Sequence, residues 1–479
     1  MAQRTTKSQV SGYRFLLRRL EHALVRRDIR MIHDPMGAHV KALIVGLVMT
    51  MIVLGGAVAL SFFKPQGSVG NSKILISKSS GQLYVLVQGT LHPVLNLASA
   101  RLAVGKAEKP NSVADKLLKK YTRGPQLGIP GAPSSLSASG APGTSRWAAC
   151  DRLDEPRDPL GRPTVGVIAG ALTPDPQGSV LGPNDAMLVR NQDDYYLLYR
   201  NTRAAVDITD NAVKQSLNLQ DVAARAVSTA MLDAIPPTRQ LAAPVIPNAG
   251  KPSRFDLAGA RIGSIISVSS LGSGGGTQKK LYVVLQDGVE LISPLVADLI
   301  RASQVGSETP IEVSLNAVTN VPPVTTLQLS GIPDNAPRLV KGTENKALCF
   351  TWSKNRTQPA QLGLQLTSDF PIKDPTAMVP TVGSQFDGVT ADLAYIPAGK
   401  GYFVRSTGVD PNTTSSASDF LVSDTGVRYG VPPGAADPLG MPDPLPAPFA
   451  VVSLLPPGPT LARDGALVIR DDLAPTDGG

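Results

Sequence analysis

The sequence predicts a membrane protein with an N-terminal cytosolic helix, a single transmembrane helix and a mainly β (α+β) extracytoplasmic domain. Within that domain we expect a central β domain with four small repeat modules, in an elongated or propeller-like arrangement. Three observations lead to this fold class. Residues 42–63 carry no charge, basic side chains precede them, and four downstream segments share one apolar pattern.

The uncharged stretch 42–63 reads ALIVGLVMTMIVLGGAVALSFF and contains no proline. As an α-helix these 22 residues extend about 33 Å, enough to span a hydrocarbon core of ~30 Å. A buried helix of a soluble domain rarely carries more than about 14 consecutive apolar residues. The stretch therefore predicts a transmembrane helix.

Basic residues are concentrated on the N-terminal side of this stretch. Residues 1–41 hold nine Lys and Arg against three acidic residues, a net charge of +6 out of the formal total of +8. Because cytoplasmic flanks of membrane helices are enriched in Lys and Arg, we expect the N-terminus inside and the large domain outside. The flank around Phe63 offers no small-residue cleavage site, which predicts an uncleaved signal anchor. The basic tail accounts for the high pI, so nucleic acid is not an expected partner.

The cytosolic segment carries the pattern of an amphipathic helix. Its apolar residues recur at three- and four-residue spacing, and Ser11 is the expected N-cap. The predicted apolar face consists of Tyr13, Leu16, Leu17, Leu20 and Leu24. The predicted membrane-proximal basic residues are Arg18, Arg19, Arg26, Arg27 and Arg30. Two interpretations stay open: a helix that docks a partner protein, or a helix that lies on anionic lipid.

The chain has two cysteines, Cys150 and Cys349, both in the domain expected to face an oxidising compartment. A disulfide between them would close a very long loop and contribute up to about 5 kcal/mol in the chain-entropy treatment. The alternative is two buried free thiols. Zinc is not expected, because two cysteines without a nearby histidine cannot fill four coordination positions.

Four segments begin with an apolar strand that carries an aromatic residue, followed by a turn and a second apolar stretch. They start at Leu83, Tyr195, Leu281 and Phe420. Asp287-Gly288 and Thr425-Gly426 are typical of hairpin turns in which glycine supplies a positive φ. The starts are unevenly spaced, so we predict separate β-rich modules with inserted sequence and no solenoid of fixed period.

These patterns together predict the division of the chain. The expected segments are a cytosolic amphipathic helix (1–41), the transmembrane helix (42–63), repeat module 1 (64–110), a linker with the first part of the central domain (111–180), repeat module 2 (181–240), repeat module 3 (241–310), the second part of the central domain (311–410), and repeat module 4 with a Pro-rich tail (411–479). The extracytoplasmic helix candidates are Asp115–Tyr121, Leu219–Ile235 and Pro294–Ser303.

No pattern of catalytic residues stands out in the sequence. Three of the four histidines precede the transmembrane stretch, which leaves His92 as the single extracytoplasmic candidate for a Ser-His-Asp site. Its strand-like context favours an ordinary exposed histidine. Gly272–Gly276 is followed by a strand and lacks the Gly-Lys-Ser/Thr of a phosphate-binding loop, so we interpret it as a linker. We expect no catalytic residues, no metal site and no cofactor.

Several motifs, in order, resemble those of a known family. They are SGYRFLLRRLEHALVRRD from Ser11, MIHDPM, LYVLV…LHPVLNLASARL, RGPQLGIPGAP, a W-A-x-C-D element from Trp147 to Asp151, and SDTGVRYGVP. The chain thereby resembles EccB, the single-span core component of mycobacterial type VII (ESX) secretion systems, over essentially its whole length.

The resemblance implies an inner-membrane location, with the large domain in the periplasm. It also implies assembly with EccC, EccD and EccE, with the mycosin protease MycP, and with other copies of the chain. Peptidoglycan contact would be a secondary role, and membrane lipid surrounds the span.

Members of the family are commonly called ATPases. This sequence contains no Walker A lysine that would support the name. We therefore hold two hypotheses of different classes: a scaffold subunit that assembles the secretion pore, and an enzyme that hydrolyses nucleotide through an unrecognised site. A weaker third hypothesis is an envelope anchor that binds cell wall.

Overall fold

The computed structural model describes residues 6–27, 35–62, 69–136, 138–139, 143–158, 160–271, 277–303, 309–356 and 358–470. The chain divides into two compact units, residues 1–68 and 69–479. The first unit contains two helices, α1 (Lys7–Arg26) and α2 (Pro35–Phe62). The second contains every strand found among the described residues.

Helix α1 begins earlier than the sequence predicted. Thr6 is the N-cap, and its backbone N–H donates to Gln9 Oε1 at 3.0 Å. This capping box satisfies a free backbone donor at the start of the helix, so the prediction of Ser11 as N-cap was wrong. The helix ends where Arg27 adopts a left-handed conformation, with φ of 56°.

The first half of the second unit runs from β1 to α6. Its elements are β1 (Ile74–Ser77), β2 (Leu83–Val87), β3 (Thr90–Pro93), α3 (Leu97–Val104), β4 (Asn111–Val113), α4 (Asp115–Leu118), β5 (Thr122–Arg123), β6 (Ala138–Ser139), β7 (Ser145–Arg152), β8 (Thr164–Ala169), β9 (Ser179–Val180), β10 (Asp185–Asn191), β11 (Asp194–Tyr199), β12 (Thr202–Val206), α5 (Asn211–Ser216), β13 (Arg225–Ala226) and α6 (Thr229–Ala234).

The second half follows a matching order. Its elements are β14 (Ile265–Leu271), β15 (Thr277–Val284), β16 (Val289–Ile292), α7 (Pro294–Ser303), β17 (Ile311–Glu312), α8 (Leu315–Thr319), β18 (Arg338–Leu339), β19 (Ala347–Lys354), β20 (Gln361–Thr367), a 3₁₀ turn (Pro375–Ala377), β21 (Val379–Pro380), β22 (Leu393–Tyr395), β23 (Gly401–Thr407), β24 (Ser416–Val422), β25 (Arg428–Val431), α9 (Ala436–Leu439), β26 (Leu445–Pro448), α10 (Phe449–Val452) and α11 (Arg463–Ala466).

Four of the five sheets are built alike. In each, three consecutive antiparallel strands are followed by a helix, and then by a short strand that pairs in parallel with the first strand of the three. We call them sheet I (β4-β1-β2-β3-β5), sheet II (β12-β11-β10-β13, with β18), sheet III (β16-β15-β14-β17) and sheet IV (β25-β24-β23-β26, with β6).

The four segments that look alike in the sequence form the second and third strands of these four sheets. An aromatic ring lies at the same register in every second strand, opposite the first-strand residue that also pairs with the parallel strand. The four rings belong to Tyr84, Tyr196, Tyr282 and Phe420.

Both predicted glycine turns lie between paired strands, but the two glycines act differently. Gly426 has a positive φ of 79°, as the turn prediction requires. Gly288 is not among the positive-φ glycines; a Cβ atom there would collide with the carbonyl oxygen of Pro322. Glycine at 288 is therefore needed for close backbone approach.

Of the three predicted helices, one is confirmed, one is shorter than predicted and one is mostly wrong. Pro294–Ser303 is confirmed as α7, and Asp115–Tyr121 is helical only to Leu118. The prediction over Leu219–Ile235 was wrong for most of its length, because Arg225–Ala226 pairs with β10 as a strand. Only the last part is helical, and it begins where the Ser228 side chain accepts from Met231 N–H.

The fifth or central sheet has the order β21-β22-β8-β7-β19-β20-β9, so β7 and β19 lie at its middle, one from each half. Its inner face forms a continuous core with residues of sheets II and IV and of helices α6 and α10. Sheet I packs on sheet IV through α3 and α9, and sheet III packs on sheet II through α7 and α5. The five sheets thus contact one another in the series I, IV, central, II, III.

The central pair β7 and β19 is joined covalently. Cys150 and Cys349 are directly opposite each other in the antiparallel register, and they form a disulfide. Both are fully buried against Phe370 and Met378 on the outer face of the central sheet. The predicted pairing is confirmed, and it ties together two strands 199 residues apart in the chain.

This pairing predicts a large loss of stability when it is removed. The free energy of unfolding of the Cys150→Ala variant should be about 2–5 kcal/mol lower than that of the wild type, because its unfolded chain is no longer constrained by the cross-link. Urea denaturation of the detergent-purified protein measures the difference. With dithiothreitol in the denaturation buffer, the free energy of unfolding of the wild type should fall to that of the variant. Equal free energies of unfolding without reductant would contradict a stabilising disulfide.

Candidate functional site

The predicted apolar face of α1 is open in the first unit. Tyr13, Leu16, Leu17, Leu20 and Leu24 lie on one side of the helix and are between 44 and 74 % exposed. Moving a side chain of this size out of water is worth about 1.5–3 kcal/mol, so an apolar row of five favours burial against something. The α1 helix is therefore a candidate binding surface.

Four of the five predicted basic residues lie on α1 or at its C-cap. Arg18, Arg19 and Arg27 are exposed, and Arg26 is the last residue of α1. Arg30 lies outside the described residues. Exposed guanidinium groups beside an apolar row suit either an acidic protein surface or lipid phosphates.

Helix α2 has the length and composition of a membrane span. Within it, Ala38–Ala59 forms a stretch with a mean hydropathy of 2.5, and none of that stretch is buried. The helix extends seven residues before the predicted start at Ala42 and includes Lys41. Because its apolar side chains are exposed on all sides, lipid or partner helices are the environment that they require.

In the second unit, a buried polar junction holds sheet II against the central sheet. Asp151 of β7 is fully buried, and its carboxylate accepts from the Ser228 N–H at 2.6 Å and from the Ser228 Oγ at 2.7 Å. The same Ser228 caps α6, so one carboxylate fixes both the strand and the start of the helix.

Arg225 is the cation of this junction and is also fully buried. Its guanidinium donates to the carbonyl oxygens of Gly342, Asn345 and Lys346, each at 2.6 Å. These residues precede β19, so Arg225 holds the chain where it enters the central sheet. Burial is the main cause that lowers the pKa of Arg225 to about 10, and the nearby Asp151 opposes that shift.

Burial also dominates the ionisation of Asp151. It raises the pKa of Asp151 to about 6, against the hydrogen bonds from Ser228 and the charge of Arg225, which favour the carboxylate. Asp392 adds a smaller like-charge effect in the raising direction. The junction is a structural polar network with a titratable group at its centre.

His92 forms a hydrogen bond with the backbone, as expected of a structural residue. His92 lies on β3, and its Nδ1 is 2.9 Å from the carbonyl oxygen of Pro125, so Nδ1 carries the proton. Within the described ranges, no group of three or more His, Cys, Asp or Glu residues is placed to hold a metal ion.

Sequence reasoning missed two features of this unit. Arg225 and the role of Asp151 follow from tertiary contacts and had no local signal. The second missed feature is visible in the sequence. Three ten-residue segments end in Pro-Pro: Ser228–Pro237, Ser314–Pro323 and Pro448–Pro457. In the structure each forms a short helix whose final proline bridges the third strand of its sheet.

The whole-chain comparison decides the family. Residues 2–475 match the family described as Type VII secretion system ESX-1, transport TM domain B. The chain belongs to the EccB family.

Curated relatives support this assignment over nearly the full chain. The ESX-3 secretion system ATPase EccB3 of Mycobacterium tuberculosis is 36 % identical over 98 % of this chain and 90 % of the relative. The ESX-1 secretion system ATPase EccB1 of the same organism is 36 % identical over 98 % of this chain and 95 % of the relative.

Solved structures of EccB-type chains also superpose. A chain of an intact ESX-5 inner membrane complex matches with a TM-score of 0.73 and 33 % identity, covering 100 % of this chain and 98 % of that one. A chain of the EccB3 dimer from the ESX-3 core complex matches with a TM-score of 0.70 and 31 % identity, covering 83 % of this chain and all of that one.

The raised pKa of Asp151 predicts that the free energy of unfolding falls as the pH rises. Because its folded pKa lies above the ordinary value, the native state binds this proton more tightly than the unfolded chain does. The stability contributed by the neutral acid is present below pH ~4 and is lost as pH rises through ~6. Relative to Asp151→Asn, the wild type should lose about 1–3 kcal/mol between pH 4 and pH 7.

Urea denaturation of both proteins across this pH range measures the effect. Asp154→Asn is a suitable control, since the Asp154 side chain is 80 % exposed. A parallel pH dependence in the wild type and Asp151→Asn would show that Asp151 does not titrate in this way.

Proposed function

We propose that this chain is a structural core subunit of a type VII (ESX) secretion complex in the inner membrane. The observation that carries the proposal is the match of nearly the whole chain to EccB proteins, among them a chain of an intact ESX-5 inner membrane complex. Its single apolar α2, its exposed amphipathic α1 and its large β-rich unit are the parts that such a subunit needs.

In this proposal α1 lies in the cytoplasm, α2 crosses the inner membrane and residues 69–479 lie in the periplasm. The orientation is supported by the net charge of +6 on residues 1–41. A buried disulfide also suits an oxidising compartment better than the cytoplasm. Sheets I to IV are the four repeat modules, arranged around the central sheet.

The periplasmic unit assembles the periplasmic part of the channel. Self-association is supported by the EccB3 dimer among the matching structures, and we extend it to other copies of this chain. EccC-, EccD- and EccE-type subunits and the mycosin protease MycP are the proposed partners, with peptidoglycan contact as a secondary role. Membrane lipid surrounds α2.

The α1 face is the proposed docking element within the membrane complex. Leu20→Asp together with Leu24→Asp places two charges in the exposed apolar row, which a protein partner would have to bury at a cost of several kcal/mol. We expect the double variant to be lost from the high-mass complex on native gels, while its disulfide-linked unit stays folded.

Phe15→Asp together with Val25→Asp is the matched control, because Phe15 and Val25 are 54 and 69 % exposed and lie outside the apolar row. It adds the same two charges to the same helix and should leave the complex intact. Intact complexes in the double leucine variant would exclude this face as the docking element. Loss in both variants would indicate a membrane-surface effect of added negative charge.

Nucleotide hydrolysis is the second candidate function, because the curated relatives are named ATPases. We expect the purified chain alone to show no phosphate release above background, and ATPase activity to co-purify with the complex. Activity that stays with the homogeneous chain through successive columns would favour the enzyme over the scaffold.

A further inference from the structure

We propose that the cleft between sheet II and the central sheet binds a short peptide segment from a second polypeptide, one that carries an acidic side chain beside an apolar one. The cleft has a volume of about 420 Å³ and lies between the β10–β11 turn, the start of α6 and two loops of the central sheet. This volume is within the ~300–1,000 Å³ typical of ligand sites.

The chemistry of the cleft is cationic on one side and apolar on the other. Arg162 and Arg190 supply two guanidinium groups, Asp387 supplies one carboxylate, and Asn191 and Thr229 add polar side chains. Leu160 and Phe386 also line the cleft and are 73 and 54 % exposed, high values for large apolar side chains. Phe386 has a φ of 52°, a conformation that a bulky residue rarely adopts and that is often retained for function.

The other half of the chain fills the position that matches this cleft. Sheets II and IV correspond strand for strand, with Val189 and Val404 at the same register. In sheet II, β10 and β11 are joined by a turn of only two residues, 192–193. In sheet IV, the corresponding strands β23 and β24 are joined by the eight-residue loop 408–415, GVDPNTTS.

That loop packs against the central sheet where the cleft remains open in the other half. The Pro411 carbonyl accepts from the Ala360 N–H at 3.0 Å, and the Thr413 carbonyl accepts from the Lys354 ammonium at 3.0 Å. The Val409 side chain packs on the central core. Lys354 and Ala360 flank the β19–β20 connection, and the equivalent β7–β8 connection contributes Leu160 and Arg162 to the open cleft.

One half of the molecule therefore covers this position with its own chain, and the other half leaves it exposed. An apolar side chain can occupy the space beside Leu160 and Phe386, as Val409 does on its side. A carboxylate nearby can pair with the exposed guanidinium group of Arg162, whereas Arg190 already lies 3.5 Å from Asp193 Oδ1. The inference does not depend on the membrane-complex proposal, since the probe below is a free peptide.

The test uses a fluorescein-labelled peptide with the loop sequence GVDPNTTS and the purified full-length protein in detergent micelles. We expect saturable binding by fluorescence anisotropy with a Kd below ~1 mM, weakened at least ~tenfold by Arg162→Glu and ~fivefold by Phe386→Ala. The peptide GVKPNTTS, in which lysine replaces the aspartate, should bind at least ~tenfold more weakly than GVDPNTTS.

Lys400→Glu is the control for the charge change, because Lys400 is exposed, precedes β23 and does not line the cleft. It should bind like the wild type, and thermal melting of all variants checks that they are folded. Absence of saturable binding up to ~5 mM peptide would overturn the proposal, as would equal affinity of the wild type and Arg162→Glu.

Discussion

The pairing of β7 with β19 is the constraint on which the rest of the second unit depends. These two strands come from different halves of the chain, and every other strand of the central sheet is added outward from them. Each half then returns strands to the other: β6 of the first half extends sheet IV, and β18 of the second half extends sheet II. The disulfide fixes covalently one of the strand pairings between the halves that no local hairpin can establish.

The buried junction of Asp151, Ser228 and Arg225 works beside this pairing. It buries two ionisable side chains where most of the interface is apolar, and the loss of solvation raises the pKa of Asp151. In return, Arg225 engages carbonyl groups at three residues just before β19, so the position of sheet II and the entry of β19 become linked. Such a network specifies one arrangement more sharply than apolar contact alone.

The same architecture explains how one fold serves several kinds of contact. The apolar rows of α1 and α2 are exposed and need partners, whereas the sheets of the second unit bury their own cores. Sheets II and IV flank the central sheet with matching strand order, and a difference of a few residues in one hairpin leaves one of the two positions open. The peptide site that we propose and the loop that closes the other side therefore lie at the same position in the two halves.

Much of this protein was predictable from the sequence, because the signals were local. An uncharged run of 22 residues predicts the span, periodic leucines predict α1, and an aromatic residue in an apolar strand marks each of the four hairpins. Pro294–Ser303 was recognisable as a helix because its apolar residues recur with helical spacing.

Only the tertiary structure decided the features that depend on distant residues. The helix predicted over Leu219–Ile235 is interrupted because Arg225–Ala226 pairs with β10 as a strand. The buried Arg225 donates to the carbonyl oxygen of Gly342, which is 117 residues away in the chain. Likewise, Gly288 is required by Pro322 and by no property of its own turn. Local periodicity determines which elements form, whereas the packing of strands from two halves determines which polar groups must be buried together.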